Sequence, residues 1–255
     1  MPLTGATAPA TLAGALVQLT AENLSGVVMA QLAGPGAPVI FGGSPASFDM
    51  RTAGTPIGAI ETMMIDSAYS QIGKALKLPT HAYMGLSDSK CVDTQAGLES
   101  GIGAILAALS GINVVSGGGM MDFESTQSLE KLVIDNDICG MAFRLLRGVA
   151  QREEPIALHI FKDLDANTEF LTHTHTLQWF PQEQIYSDII DRGNYQQWAS
   201  DGKPTLTERA HKKVEELLST HLESHLNRDI RKELKKIILL YGNNLGLKSI
   251  PFAKK

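Results

Sequence analysis

Three clusters of residues combine side-chain types and spacings that can do chemistry. In the first, Asp88, Lys90 and Asp93 follow a short apolar run at 81–84 that contains Tyr83, and a second aromatic, Phe41, ends an earlier run at 37–41. Carboxylates fixed beside aromatic rings suit a cation, because the carboxylate offsets lost hydration and a ring face attracts positive charge. Asp88 and Asp93 are equally the residue type that caps a helix. Aromatics at inward strand positions, as Phe41 and Tyr83 would be, are more often core, and Lys90 can hold a ligand carboxylate or pair with either aspartate.

In the second cluster, Gly117-Gly118-Gly119 leads into Asp122, Phe123, Glu124 and Glu130. The Lys-Ser/Thr of a phosphate loop is lacking, and three adjacent glycines do not make a GxGxxG fingerprint. Glycines here permit a tight turn or a close backbone approach. The carboxylates sit where a helix dipole favours negative charge. Of these, Asp122 is nominated for a site, with Phe123 as a further aromatic candidate. The third cluster is His173 and His175, which share one face if the segment 170–174 is a strand. A HxH pair can bind zinc, but no third ligand is apparent and no metal is expected. Lining a site and simple hydrogen bonding remain equally open for both histidines.

These residues need a scaffold, and the chain alternates between two textures. Short runs rich in β-branched and aromatic residues at 37–41, 81–84, 112–115 and 170–174 have the length of buried parallel strands. Helical spacing fills 9–33, 55–77, 93–110, 125–149 and about 154–164. The segment 30–43 weakly echoes 107–118. Strands alternating with helices imply parallel pairing and right-handed crossovers. We count four βα units, preceded by a helix whose own strand is not present. A (β/α)8 barrel needs eight strands, so the array requires completion by another chain or segment. A doubly wound open sheet is the competing architecture. A last long helix starts at a capping box, Thr205 with Glu208, and carries Val214, Leu217, Leu218, Leu222, Leu226, Ile230, Leu234 and Ile237 as an apolar stripe.

Composition sets limits on function. The 255 residues are 44% hydrophobic and 19% charged with a formal net charge of -5, within the range of a globular protein. The acidic balance argues against nucleic acid, which selects a basic footprint. The stretch 228–236 is basic but interleaved with Asp229, Glu233 and apolar residues, as on a solvated helix face. Cys91 and Cys139 lack CxxC partners, so a reducing, cytoplasmic setting is expected. No uninterrupted apolar run of membrane-spanning length and no signal-peptide pattern are read, so no membrane partner is expected.

Four blocks together resemble the trimethylamine–corrinoid methyltransferase family. They are the opening Pro2-Leu3-Thr4-Gly5-Ala6-Thr7-Ala8-Pro9-Ala10-Thr11-Leu12-Ala13-Gly14, then Met84-Gly85-Leu86-Ser87-Asp88-Ser89-Lys90 with Asp93-Thr94-Gln95-Ala96-Gly97-Leu98-Glu99-Ser100. The third is Ser116-Gly117-Gly118-Gly119-Met120-Met121-Asp122-Phe123 with Gln127-Ser128-Leu129-Glu130-Lys131-Leu132-Val133, and the fourth His173-Thr174-His175-Thr176-Leu177. They stand in the family's order and cover nearly the whole chain.

The resemblance implies an α/β fold, the second half of a (β/α)8 TIM barrel with a long C-terminal helix. Residues 1–200 would form the barrel half, and 201–255 the amphipathic helix and tail packing on it. It also implies transfer of a methyl group from a methylated amine to the Co(I) cobalamin of a separate corrinoid protein, with no cofactor tightly bound. The chain contains no pyrrolysine, which assigns it to the branch acting on quaternary amines such as glycine betaine. By the rule that barrel sites form at strand C-terminal ends, Phe41, Tyr83, Asp88, Lys90, Asp93, Asp122, Phe123, His173 and His175 become substrate-site candidates. Gly117, Gly118 and Gly119 become the loop facing the corrin. The implied partners are the corrinoid protein, the methylated amine, and an N-terminal half or a second copy. The alternative is a non-catalytic truncated paralogue that binds betaine-like cations or the corrinoid protein.

Overall fold

The computed structural model describes residues 2–153, 156–162, 169–220 and 226–246. It divides into two units, residues 1–215 and 216–255.

The first unit is an α/β array. Strand β1 (Leu3–Thr4) leads to α1 (Leu12–Ala33), β2 (Phe41–Gly43), β3 (Ala46–Ser47), α2 (Ile60–Ala75), β4 (Thr80–Ala82), α3 (Thr94–Leu109), β5 (Val114–Val115), the hairpin β6 (Met120–Met121)–β7 (Thr126–Gln127) and α4 (Leu129–Leu146). β1 pairs parallel with β3, β2 with β4, and β4 with β5. Each of these pairs is parallel and joined across an intervening helix, as right-handed crossovers require. Pro45, which has no N–H to donate, lies between β2 and β3 and separates two segments of one extended stretch.

Two expectations about strands are corrected. The strand preceding α1 is present: Leu3 and Thr4 are in register with Ala46 and Ser47. The segment 170–174 is not a strand; His173 instead caps α6 (Thr174–Glu183), its Nδ1 accepting the His175 N–H at 3.1 Å. The run at 37–41 pairs only from Phe41 onward, where the register would set Ile40 opposite Pro79, which has no N–H to donate.

The helices are anchored by their termini. Thr11, Asp93 and Ser128 cap α1, α3 and α4 through their side-chain oxygens. α1 is long and apolar enough to cross a membrane by length and composition, although it contains Gln18, Glu22 and Asn23. Its Leu19 is buried against Phe41, Ile65 and Tyr69, which form the core between helices and sheet. A second core joins Met63, Ala82, Met84 and Ala107, and a third joins Ile134, Ile189 and Ala210. Glycine is required at Gly73 of α2, because a Cβ there would stand 2.5 Å from Thr80 Cγ2 and 2.9 Å from Phe41 Cδ1.

Of the helix expected near 154–164, α5 covers Leu158–Lys162, and 154–155 and 163–164 lie outside the described residues. α7 (Tyr195–Ser200) follows. The last helix is corrected to two: α8 (Leu206–Ser219) and α9 (Arg228–Asn244), the second capped by Asn227. The capping box forms, with Thr205 N–H on Glu208 Oε2 at 2.7 Å and Glu208 N–H on Thr205 Oγ1 at 3.2 Å. Leu222 lies outside the described residues. In α9, Ile230, Leu234 and Ile237 are exposed.

Candidate functional site

Side-chain alternation along the strands defines two sheet faces. Phe41, Thr80, Ala82 and Met84 are buried, Phe41 and Thr80 against α2 and Ala82 and Met84 with Met63 and Ala107. Gly42, His81 and Tyr83 alternate with them and lie on the opposite face. There His81 Nε2 is 2.8 Å from Ser116 Oγ, and the His81 and Tyr83 rings meet edge to face with centroids 4.9 Å apart. Burial pushes the His81 imidazole below its usual value. A Cβ on Gly42 would come within 2.7 Å of His81 Cβ, so glycine there makes room for the imidazole.

Beyond β4, the loop from Gly85 turns through a left-handed conformation (φ 74°) into three buried residues, Ser87, Asp88 and Ser89. Asp88 accepts the backbone N–H of Ile57 (3.1 Å) and of Gly58 (3.0 Å), which ties this loop to the approach to α2. Burial raises its pKa nonetheless, opposed by those two amides. Glu99 of α3 accepts Ser87 Oγ at 2.6 Å and Asp88 N–H at 2.8 Å. Asp93 accepts the Ala96 N–H at 3.0 Å and Ser89 Oγ at 2.9 Å, and these bonds hold its carboxyl below the usual range.

The hairpin β6–β7 docks on this loop through Ser87 N–H to Met120 O (3.2 Å) and Asp122 N–H to Ser89 O (3.0 Å). At its tip, Asp122, Phe123 and Glu124 all have positive φ, at 49°, 54° and 68°. Each such non-glycine residue costs about 1–2 kcal/mol. Lys90 bridges the two loops: it donates to Asp88 O at 2.7 Å, pairs with Asp122 at 3.5 Å and stands 4.1 Å over the Phe123 ring. Glu124 Oε1 is buried without a hydrogen-bond partner among the described residues. Burial raises the Glu124 pKa, and the Asp88 charge adds to it. Asp66 of α2 is raised well above its usual value by burial, with a further contribution from Glu124.

The glycine turn is supported from below. A Cβ on Gly117 would stand 2.1 Å from Met84 O, a contact only glycine permits. Gly119 (φ 80°) donates its N–H to Asp135 Oδ2 at 2.7 Å. Asp135 is paired with Lys131 at 2.5 Å, and Lys131 also reaches Ser100 Oγ at 2.5 Å. This ion pair joins α3, α4 and the turn in the interior.

The family model for trimethylamine methyltransferase (MTTB) matches residues 1–241. The chain belongs to this family. It is 36% identical over 240 residues to trimethylamine methyltransferase MttB of Methanosarcina barkeri (strain Fusaro / DSM 804), covering 93% of this chain and 48% of that protein. It is 33% identical over 245 residues to the glycine betaine methyltransferase of Desulfitobacterium hafniense (strain Y51), covering 96% of this chain and 51% of that protein. The chain therefore spans about half the length of the curated relatives it matches.

Within this methyltransferase family chain, the structure gathers only some of the nominated residues. Asp88, Lys90, Asp93, Asp122 and Phe123 converge at the two docked loops, and Tyr83 precedes them, half-buried, on the sheet face opposite α2. Phe41 is corrected to the helix–sheet core: it is fully buried and stacked on Tyr69 at 4.5 Å, so no ligand reaches its faces. His173 and His175 are in contact with a different group, since His175 Nε2 lies 3.0 Å from Glu153 and its ring 6.3 Å from that of His159. No grouping of three potential metal ligands occurs among the described residues. Sequence reasoning missed His81 and Ser116, although alternation with Ala82 and Met84 could have placed His81. It also missed the interior pair Lys131 and Asp135, whose signal was the four-residue spacing on one helix.

Proposed function

We propose that this chain is the C-terminal half of a TIM-barrel methyltransferase, with residues 1–200 as the barrel half and 201–255 as an appended helix and tail. It would move a methyl group from a quaternary amine to the Co(I) cobalamin of a separate corrinoid protein. The observation that carries this reading is the sheet face bearing half-buried His81 and Tyr83, opposite the face packed on α2 and flanked by strand-end loops rich in carboxylates. Sequential parallel strands with helical crossovers support the barrel assignment. The relatives named for trimethylamine and glycine betaine methyltransferases support the substrate class.

The chemistry asks little of acids and bases. When the methyl carbon is attacked by Co(I), the C–N bond breaks and its electron pair remains on nitrogen as a neutral tertiary amine. No proton moves, so the protein's tasks are positioning, exclusion of water and accommodation of positive charge. Tyr83 offers an aromatic face, and Glu124 a carboxylate oxygen unpaired among the described residues, for that charge. Lys90 would meet the carboxylate of a betaine by exchanging its pairing with Asp122 for it. The corrinoid acts as a substrate on a partner protein, and this chain is required only to leave the strand-end side open to it.

The test mixes the purified chain with Co(I) cobalamin and a panel of quaternary and tertiary methylamines, with and without a matching N-terminal half. Formation of methyl-Co(III) is followed by absorbance. Methylation only with the added half is expected. Silence of a folded, complete mixture towards every amine overturns the catalytic reading, and saturable binding without turnover would then favour a binding module.

A further inference from the structure

We propose that Tyr83 is the wall against which the quaternary ammonium docks, and that His81, fixed by Ser116 and admitted by Gly42, is its positioning residue. This rests on the substrate class proposed above and adds how the site would recognise it.

Three adjacent strands contribute to one face. Gly42 on β2 is in register with His81 on β4, and His81 with Val114 on β5, one residue before Val115 and two before Ser116. Glycine at position 42 leaves the space in which the imidazole lies, since a Cβ there would also stand 3.1 Å from His81 Nδ1. Ser116 then fixes the ring at its far nitrogen with a 2.8 Å hydrogen bond. With its plane set, the imidazole meets the Tyr83 ring at 89°, an edge-to-face arrangement that orients the phenol. One such contact occupies at most one face of Tyr83, and the ring remains half-buried with surface to offer.

The charge state agrees with this role. Burial lowers the His81 pKa, so at neutral pH the imidazole carries no charge to repel a cation beside Tyr83. On this face His81 Nε2 and Ser116 Oγ are hydrogen-bonded to each other. A tetraalkylammonium neither donates nor accepts, so it leaves that bond intact and gains the attraction of the ring. A neutral molecule of the same shape gains only contact.

The experiment is an NMR titration of the full chain carrying 13C-labelled tyrosine rings, with tetramethylammonium chloride and, separately, neutral tert-butanol. Tyr83→Leu assigns the Tyr83 signal, and the Tyr69 signal reports whether each variant keeps its core. Tetramethylammonium is expected to shift Tyr83, with tert-butanol producing little change. His81→Ala and Gly42→Ala are expected to weaken the cation roughly three- to thirty-fold, the range of a cation–π contact. His81→Gln, which can still bond Ser116, should recover part of the loss. A Tyr83 signal unmoved by tetramethylammonium, equal responses to both probes, or wild-type binding in a folded His81→Ala protein each overturns the proposal. Methyl transfer is not part of this readout, so a selective Tyr83 response together with silence of the completed mixture towards every amine would sink the catalytic reading and leave this one standing.

Discussion

Replacing Lys131 with methionine tests whether the turn that bears Asp122 and Phe123 depends on a buried charge. Lys131 is 0% exposed and Asp135 3%, and Asp135 also receives the Gly119 N–H. Lys131→Met keeps the volume and removes the countercharge, stranding a carboxylate whose second oxygen has no hydrogen-bond partner among the described residues. Breaking a buried pair from one side costs about 3–5 kcal/mol. The cost should depend on pH in a defined direction. Burial holds Asp135 above its usual value even with Lys131 present, and losing the lysine raises it further. A carboxyl whose folded pKa is raised contributes stability below its unfolded pKa and loses it as pH rises through the folded value. The deficit of Lys131→Met, read from urea unfolding midpoints, should therefore grow as pH rises above the usual Asp value of 3.8 and level off once the folded carboxyl has ionised. Lys131→Met/Asp135→Leu should recover a large part of the loss, because both charges are then gone. A deficit under about 1 kcal/mol, or strict additivity in the double variant, would refute the reasoning.

Other outcomes follow from the same geometry. Gly117→Ala forces a Cβ to 2.1 Å from Met84 O and should destabilise the fold by about 3 kcal/mol, measured by urea unfolding. Phe41→Ala should cost about 3–5 kcal/mol in the same assay. Phe41 belongs to the core, so tetramethylammonium affinity should survive wherever the variant remains folded. The exposed pair Glu130–His211 should stabilise only within a window of pH. Hydrogen bonds from His211 and Ser128 hold Glu130 at about 2, so its contribution is present above its usual value of 4.5 and fades as pH falls towards 2. His211 is raised by Glu130, so its contribution is present below its usual 6.5 and fades as pH rises through the folded value. Thermal midpoints of wild type and His211→Gln should differ most between those limits and converge on either side.

Much of the scaffold was legible because it follows local periodicity. Helices α1 to α4 lie inside the segments read from apolar spacing, and the Thr205–Glu208 box formed as its sequence signature requires. What escaped depended on non-local partners. β1 has two residues, too few for any periodic signal, and is a strand only because Ala46 and Ser47 pair with it. The segment 170–174 has strand composition, yet its fate was decided by His173, whose ring nitrogen can cap a helix. Phe41 could not be assigned to a face from a lone apolar run. The structure assigns it by the Tyr69 ring stacked upon it.

Hydrogen bonding separates the nominated residues in a way their types could not. Asp88 spends its two oxygens on backbone amides, Asp93 spends its own on a helix start, and Glu99 holds Ser87 and the Asp88 amide. Carboxylates so engaged brace loops, and a ligand cation would have to displace bonds the fold already uses. Lys90 is likewise engaged, pinned between Asp88 O, Asp122 and Phe123. Glu124 differs: it stands last in three consecutive left-handed residues, and one of its oxygens is buried with no bond to lose among the described residues. Strain on a hairpin persists only when its surroundings hold it, here through Ser87 and Ser89. The braced aspartates thus fix the arch, and the arch places the uncommitted carboxylate. If that division is right, Asp93→Asn should change stability more than cation binding, and Glu124→Gln should do the reverse. Urea midpoints and the tetramethylammonium titration measured on the same two proteins decide it, and the opposite pattern would return Asp93 to the site.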